Sequence, residues 1–316
     1  MSRGKRQLSL IGQVDARLNG MLALGQSKHQ AKKDGTAKDH IYTGNTLDRY
    51  KKDCCRFVNW VTEEKHYAKK SARLEDVRRY APEYIHAMIS EGKSAYTIHS
   101  AVAGLAKLYR CSAPDFGVEL PPRRMENITR SRRADTQNEY HFSEKNNQDF
   151  VDFCRGTGLR RREVSRIRGD ALFFRHGKPW LIVDEGTKGG KPRMCPIIGE
   201  HTDKIVSMLQ SAGTGRVFDK VPKHADIHGY RREYATALYQ MNARTYEECL
   251  ASPFWNAEHK NGAGKPKGGY DKNSVYHCRG ARKGQWMDKQ AMLTVSQALG
   301  HNRISVVGEH YITVST

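Results

Sequence analysis

Four stretches in the second half of the chain hold side chains suited to work on a phosphodiester: TGLRRREV, TKGGKPRMCPI, IHGYRREYA and ALGHNRISVVGEHY. Taken singly they are ordinary. Arg160 reads as one more surface arginine, Lys188 as a turn lysine, His228 as a partly buried histidine and His301 as a helix-end residue. Taken together they suit phosphoryl transfer. Attack on phosphorus builds charge on the non-bridging oxygens, and planar guanidinium groups such as Arg160 and Arg231 match that geometry. His301 can add a hydrogen bond. A phenol titrates at about 10, so Tyr311 becomes a good nucleophile only when a base takes its proton. His228, three residues before Arg231, falls on the same helix face or at its cap and could act as that acid/base. Lys188, on a hairpin loop, could protonate a leaving oxygen. No carboxylate cluster for a metal is visible, and no metal or other cofactor is expected.

These residues need elements to hold them. SEKNNQDFVDFCRGTG reads as a helix capped by Ser143 and running through Phe150, Val151 and Phe153. Two β-prone runs, PWLIVDE and RMCPII, flank GTKGGKP and are expected to form a hairpin or a related loop. Helices are expected near 201–211, 229–242 and 286–299. The first half differs. Leu47, Tyr50, Cys54, Phe57, Val58 and Val61 fall on one helical face, with Asn45 or Thr46 as cap. A second helix carries Leu74 to Met88 and stops at Gly92, with Pro82 predicting a kink or a split. A third, capped by Ser94, carries Ile98, Val102, Leu105 and Leu108. With a weaker amphipathic start near 8–24, residues 1–112 read as a small helical bundle.

The chain has 316 residues, and its 54 Lys and Arg against 34 Asp and Glu give a formal charge of +20. That excess favours a polyanion, and nucleic acid before a membrane surface. No apolar run is long enough to span a bilayer, and the N-terminus lacks a signal-peptide core, so a cytoplasmic location is expected. Lys51, Lys52, Arg56 and Lys69 on the bundle, with Arg123, Arg124, Arg132 and Arg133 in the Pro-containing stretch 113–138, are candidate DNA contacts. That stretch reads as a basic interdomain linker, and 139–316 as a second domain. The seven cysteines are scattered and never spaced as CxxC, which fits free thiols in a reducing compartment. GAGKPKGG lacks the Ser or Thr and the strand of a phosphate loop. His277 and Cys278, with His259, fit no zinc spacing.

The order of the pieces resembles the tyrosine recombinase (phage integrase) family: TGLR with a glutamate three residues on, a hairpin lysine, H-x-x-R, LGH and then tyrosine. GKSAYTIHSAVAGLAKLY in the helical half is similar to the family's core-binding domain. The resemblance implies a mainly α fold with a small antiparallel sheet: a helical DNA-binding domain and a mixed α+β catalytic domain, together a C-shaped clamp on DNA. It implies Tyr311 as nucleophile, Arg160 and Arg231 as phosphate clamps, and Glu163 as structural support. Lys188 becomes the general acid, with Lys191 past the turn as second candidate, and His228 and His301 take the two histidine positions. The implied reaction cuts one strand to a 3′-phosphotyrosyl link and rejoins it to a partner duplex, with four protomers on two duplexes and a monomer or weak oligomer when free. A mobile element in a bacterial or archaeal nucleoid, or in a phage-infected host, is the implied setting. A type IB topoisomerase and a catalytically silent DNA-binding regulator are the alternatives.

Two departures shape further expectations. From His228 to His301 is 73 positions, longer than the family's usual connection, so about 253–285 reads either as an inserted loop or hairpin touching DNA or a neighbour, or as a disordered surface insertion. Only five residues follow Tyr311, too few for an exchanged C-terminal helix, so another contact is expected to coordinate the subunits.

Overall fold

The computed structural model describes residues 8–67, 72–124, 141–187, 190–256, 269–279, 282–301 and 303–312. Contacts divide the chain into two units, Met1–Asn127 and Ile128–Thr316.

The first unit is helical: α1 (Leu10–Asn19), α2 (Lys28–Lys33), α3 (Gly44–Glu64), α4 (Leu74–Val77), α5 (Ala81–Ser90) and α6 (Ala95–Leu108). The long α3 forms because its apolar residues recur every three to four positions. Leu47, Cys54, Phe57, Val58 and Val61 are all buried. Its cap is Thr43, whose hydroxyl accepts from the Thr46 amide at 3.3 Å. Asn45 and Thr46, the expected caps, lie inside the first turn, and a cap needs the extended backbone that only Thr43 adopts. The segment around Pro82 splits as expected. Proline stands in the first turn of α5, where its missing amide costs nothing, and a 3₁₀ turn separates it from α4. Ser94 caps α6 through the Thr97 amide.

The stretch expected to be a linker from residue 113 is, at its start, part of this unit. Ala113–Phe116 makes a 3₁₀ turn, Phe116 is buried in the helical core, and Val118 and Leu120 pack against it. Three prolines and few periodic apolar residues hide this, because a single phenyl ring in a cleft needs no periodicity.

The second unit runs α7 (Gln148–Thr157), α8 (Arg161–Val164), β1 (Leu172–Arg175), β2 (Lys178–Val183), β3 (Arg193–Pro196), α9 (Thr202–Ala212), α10 (Ile227–Gln240) and α11 (Tyr246–Ala251). Then come β4 (Phe254–Asn256), β5 (Gly269–Asp271), β6 (Val275–His277), β7 (Trp286–Asp288), α12 (Lys289–Ala298) and α13 (Ile304–His310). Asn147, not the expected Ser143, stands at the N-cap of α7, because a 3₁₀ turn (Lys145–Asn147) precedes the helix; the Ser143 hydroxyl accepts from the Asn146 amide at 3.3 Å in that turn. The expected hairpin strands are β2 and β3, antiparallel, with Leu181 opposite Cys195. β1 adds a third strand through the tight turn His176–Gly177, where both residues have positive φ. Leu181, Val183 and Cys195 turn one sheet face into a core shared with Phe153, Tyr234 and Val295.

The expected insertion is partly built of strands. β4 pairs with β5 and β6 with β7, both antiparallel, and Trp286–Asp288, just past the insertion, is strand where helix was expected. Residues 257–268 lie outside the described residues. Among the described residues no helix is long and apolar enough to cross a membrane.

Phe116→Ala is expected to lower the stability of the helical unit by roughly 3 kcal/mol, the usual loss for an emptied phenyl site. Urea unfolding of the full chain, with Trp180, Trp255 and Trp286 replaced so that Trp60 reports, measures it. An unchanged transition would return 113–124 to the role of a tether.

Candidate active site

The TGLR stretch is shaped by one glycine. Gly158 ends α7 in the left-handed region at φ +60°, and a Cβ there would fall 2.3 Å from Tyr234 Cδ1. The chain then extends through Arg160 into the short α8. The Arg160 amide donates to Glu163 Oε2 at 2.7 Å and its Nη1 to Glu163 Oε1 at 2.8 Å. That is why a glutamate three positions on suits this turn.

Glu163 has a second partner. From β3, Arg193 donates Nη1 to Oε1 at 2.6 Å and Nη2 to Oε2 at 2.7 Å. Glu163 is 1% exposed, so burial opposes its charge. The Arg193 hydrogen bonds, its charge and the Arg160 amide outweigh that and hold the carboxyl at about 2. Arg193 Nε also reaches the Ala298 carbonyl at 2.8 Å, so β3 is tied to the end of α12.

The LGH stretch is that end. Gly300 adopts φ +66°, its amide bonds to Gln297 O at 2.9 Å, and the His301 amide bonds to Ser296 O at 2.7 Å. This is the Schellman closure of a helix, and it needs glycine at the left-handed position. The Ser296 hydroxyl donates to the His301 carbonyl at 2.9 Å and completes the restraint. The freed Leu299 carbonyl accepts from both Arg160 Nη2 at 3.0 Å and Arg231 Nη2 at 2.5 Å. Two guanidinium groups thus converge on the negative end of one helix.

Arg231 comes from α10, which Asp226 caps through the Gly229 amide at 3.0 Å. It is fully buried, and its Nη1 donates to Gly158 O. Its Nε is buried and makes no hydrogen bond. Burial first, then the Arg160 charge, lower its pKa to about 10, so it remains a cation at neutral pH. His228 stands one turn earlier at the exposed rim. The protein crowding its ring, and then the Arg231 charge, hold the imidazole below its ordinary value.

Tyr311 caps the C-terminus of α13, with its ring centroid 5.5 Å from Arg231 Cζ and 5.1 Å from the His301 ring. Its carbonyl accepts from the Thr236 hydroxyl of α10 at 3.3 Å. Arg160, His228, Arg231, His301 and Tyr311, far apart in sequence, therefore share one place. Lys188 lies outside the described residues. Thr187 and Lys191 on either side of it line a cleft of about 380 Å³ with Arg160, Arg193 and His301.

No protein-family model matches the chain, and no curated protein does. Solved structures do match in fold. The XerH site-specific recombinase bound to palindromic difH substrate, in its post-cleavage complex, has 12% identity over 97% of this chain and 91% of its own, at a TM-score of 0.50. The chain has the tyrosine-recombinase fold. The Tn1549 transposon integrase with circular intermediate DNA is also similar, at 13% identity over 96% of each chain and a TM-score of 0.45.

Within this tyrosine-recombinase fold, Arg193 is the main residue that sequence reasoning passed over. It sits in the quoted stretch, two positions before the buried Cys195 and so on the same strand face. An inward-facing arginine demands a buried acid, and that was the available signal. Thr236 left none.

On the helical unit, Lys52, Arg123 and Arg124 are exposed. Lys51 is paired with Asp15 at 3.1 Å, and Arg56 lies 3.7 Å from Asp53. Lys69, Arg132 and Arg133 lie outside the described residues. Among the described residues no group of three or more His, Cys, Asp or Glu is gathered as a metal site.

The folded pKa of Glu163 lies below its ordinary 4.5, so its contribution is full above about 4.5 and is lost as pH falls toward about 2. Glu163→Gln is therefore expected to destabilise the second unit at neutral pH by roughly 3 kcal/mol, since it strands a buried guanidinium. Urea unfolding from pH 7 down to pH 2 should show the gap to wild type closing only below about 4.5. A gap independent of pH would mean that the carboxylate charge is not what holds the site.

Proposed function

We propose that the chain is a site-specific tyrosine recombinase that cuts and rejoins double-stranded DNA, acting on a mobile element. One observation carries the reading: the Tyr311 phenol lies against Arg231 and His301, beside the carbonyl that Arg231 shares with Arg160. A phenol among fixed cations suits attack on an anionic ester, because the positive field favours the charge that develops on the phosphorus oxygens. The net basic charge and the fold shared with DNA-bound recombinases support DNA as the substrate.

In this mechanism Arg160 and Arg231 hold the non-bridging oxygens of the scissile phosphate, with Arg231 Nε as the donor left over by its carbonyl bonds. His228 takes the Tyr311 proton. Burial of its ring, and then the Arg231 charge, keep His228 neutral, the form that can accept it. The Tyr311 oxygen bonds to phosphorus as the bond to the 5′-oxygen breaks, and Lys188, with Lys191 as second candidate, protonates that oxygen. His301 adds a hydrogen bond to the phosphoryl group. A 5′-hydroxyl from a partner duplex then attacks phosphorus, returns a proton to the site and releases Tyr311. The ester energy is kept in the phosphotyrosyl link. Glu163 and Arg193 are positioning residues for Arg160. The helical unit, through Lys52, Arg123 and Arg124 and also Lys51 and Arg56, contacts the backbone, so that the two units clamp DNA and four chains act on two duplexes.

Incubation with nicked duplexes cut from the DNA that flanks its own gene is expected to give a protein–DNA adduct that survives denaturant and is absent in Tyr311→Phe. An adduct persisting in that variant would point to another nucleophile. Tight binding with no adduct would make the chain a DNA-binding regulator, and relaxation of supercoils without specific sites would make it a topoisomerase. Arg160→Lys is expected to slow adduct formation roughly 100-fold while shifting the binding constant less than about threefold, because an ammonium cannot make the planar paired contact. Equal losses in both would recast Arg160 as a docking residue.

A further inference from the structure

The segment between the α10 motif and the LGH turn holds a guanidinium that the proposed mechanism does not use. Tyr311 ends α13, a helix of seven residues, and a helix that short does not persist in water without tertiary support. Arg303 at its N-cap makes no side-chain capping bond, and within the helix only Val307 and Gly308 are buried. The place of the phenol must therefore be set from outside the helix.

Two features do this. Gly308 rests on Met292 of α12 and on the β6–β7 pair. A Cβ there would lie 2.8 Å from Met292 Cε, 3.4 Å from Met287 Sδ and 3.8 Å from Tyr276 Cε1. Arg282, in the connection between β6 and β7, donates from Nη1 to the carbonyls of both Gly308 at 2.7 Å and Ile312 at 3.1 Å. Its Nε is fixed by Gln285 Oε1 at 2.9 Å, and the Gln285 carbonyl accepts from the Cys278 amide at 3.0 Å. The guanidinium is thus anchored to the strand pair. Carbonyls in the last turn of a helix have no intrahelical donor and carry partial negative charge. A cation bridging one of them, Gly308, to the Ile312 carbonyl just past the helix fixes the direction in which the chain leaves, and the two bracket Tyr311.

We propose that Arg282 is a positioning residue for Tyr311. The inserted segment acts within its own chain as the brace of the nucleophile, holding the backbone on both sides of the phenol. This rests on Tyr311 being the nucleophile.

The test uses the full chain and the same nicked duplexes. Arg282→Ala is expected to slow adduct formation at saturating duplex by roughly 10- to 100-fold, with the binding constant moved by less than about twofold. Arg282→Lys, which keeps the charge but loses the Gln285 anchor, is expected to recover part of the rate. Hydrogen exchange gives a readout independent of chemistry. The Tyr311 and Ile312 amides, both bonded to the Val307 carbonyl, should exchange faster in Arg282→Ala while α10 and α12 stay protected.

An unchanged adduct rate with unchanged exchange overturns the assignment. Loss of binding and of protection across α10 and α12 also overturns it, making Arg282 a general fold residue. A wild-type chain that forms no adduct removes the nucleophile, and the brace with it. That result differs from a failure of Arg282 alone, in which the wild type reacts and the variant matches it.

Discussion

One buried carboxylate governs the second unit. Glu163 accepts hydrogen bonds from the Arg160 amide and side chain and from both ends of the Arg193 fork. Arg231, fully buried, stands close enough for its charge to help keep Glu163 ionised. Three guanidinium groups around one acid cannot be neutral. The surplus positive charge is tolerated because backbone carbonyls at two helix ends, Gly158 after α7 and Leu299 after α12, face the arginines. The same surplus makes the place receptive to an anion. Support and chemistry are therefore one electrostatic arrangement, and the two glycines, Gly158 and Gly300, are needed because the carbonyls must be turned toward it.

The long connection between α10 and α12 gains a structural meaning from a second buried acid. Asp288 is fully buried, accepts from Arg244 Nε and Nη2, both at 2.8 Å, and caps α12 through the Gln290 amide at 2.8 Å. Its own amide donates to the Tyr239 hydroxyl at 2.9 Å. The end of α10 is thereby locked to the start of α12, and Ser274 adds a bond from the Lys289 amide at 2.7 Å. A segment that composition marks as Gly- and Lys-rich surface thus ends in a rigid joint. That joint carries Met287 and precedes the helix whose far end presents His301.

Much of this was legible in the sequence. Helical spacing of Leu47, Cys54, Phe57 and Val61 determined α3, Pro82 determined the break before α5, and the two β-prone runs around GTKGGKP determined β2 and β3. These are local consequences of side-chain period and backbone restriction, so the chain carries them wherever it is placed. The motif order likewise pointed to Arg160, His228, Arg231, His301 and Tyr311 as one group, because residue types that suit one reaction are readable as types.

Tertiary structure decided which of many similar residues meet. Arg193 and Arg282 look like any other of the 54 basic residues. Only the register of β3 beside β2 aims one at Glu163, and only the pairing of β6 with β7 sets the other beneath α13. Phe116, among prolines, reads as linker until a cleft in the helical core receives it. In each case the deciding contact is made between residues distant along the chain, and a contact of that kind leaves no local pattern. The sequence by itself determined the elements and the chemical repertoire; packing determined which side chains brace, which are buried, and where the phenol lies.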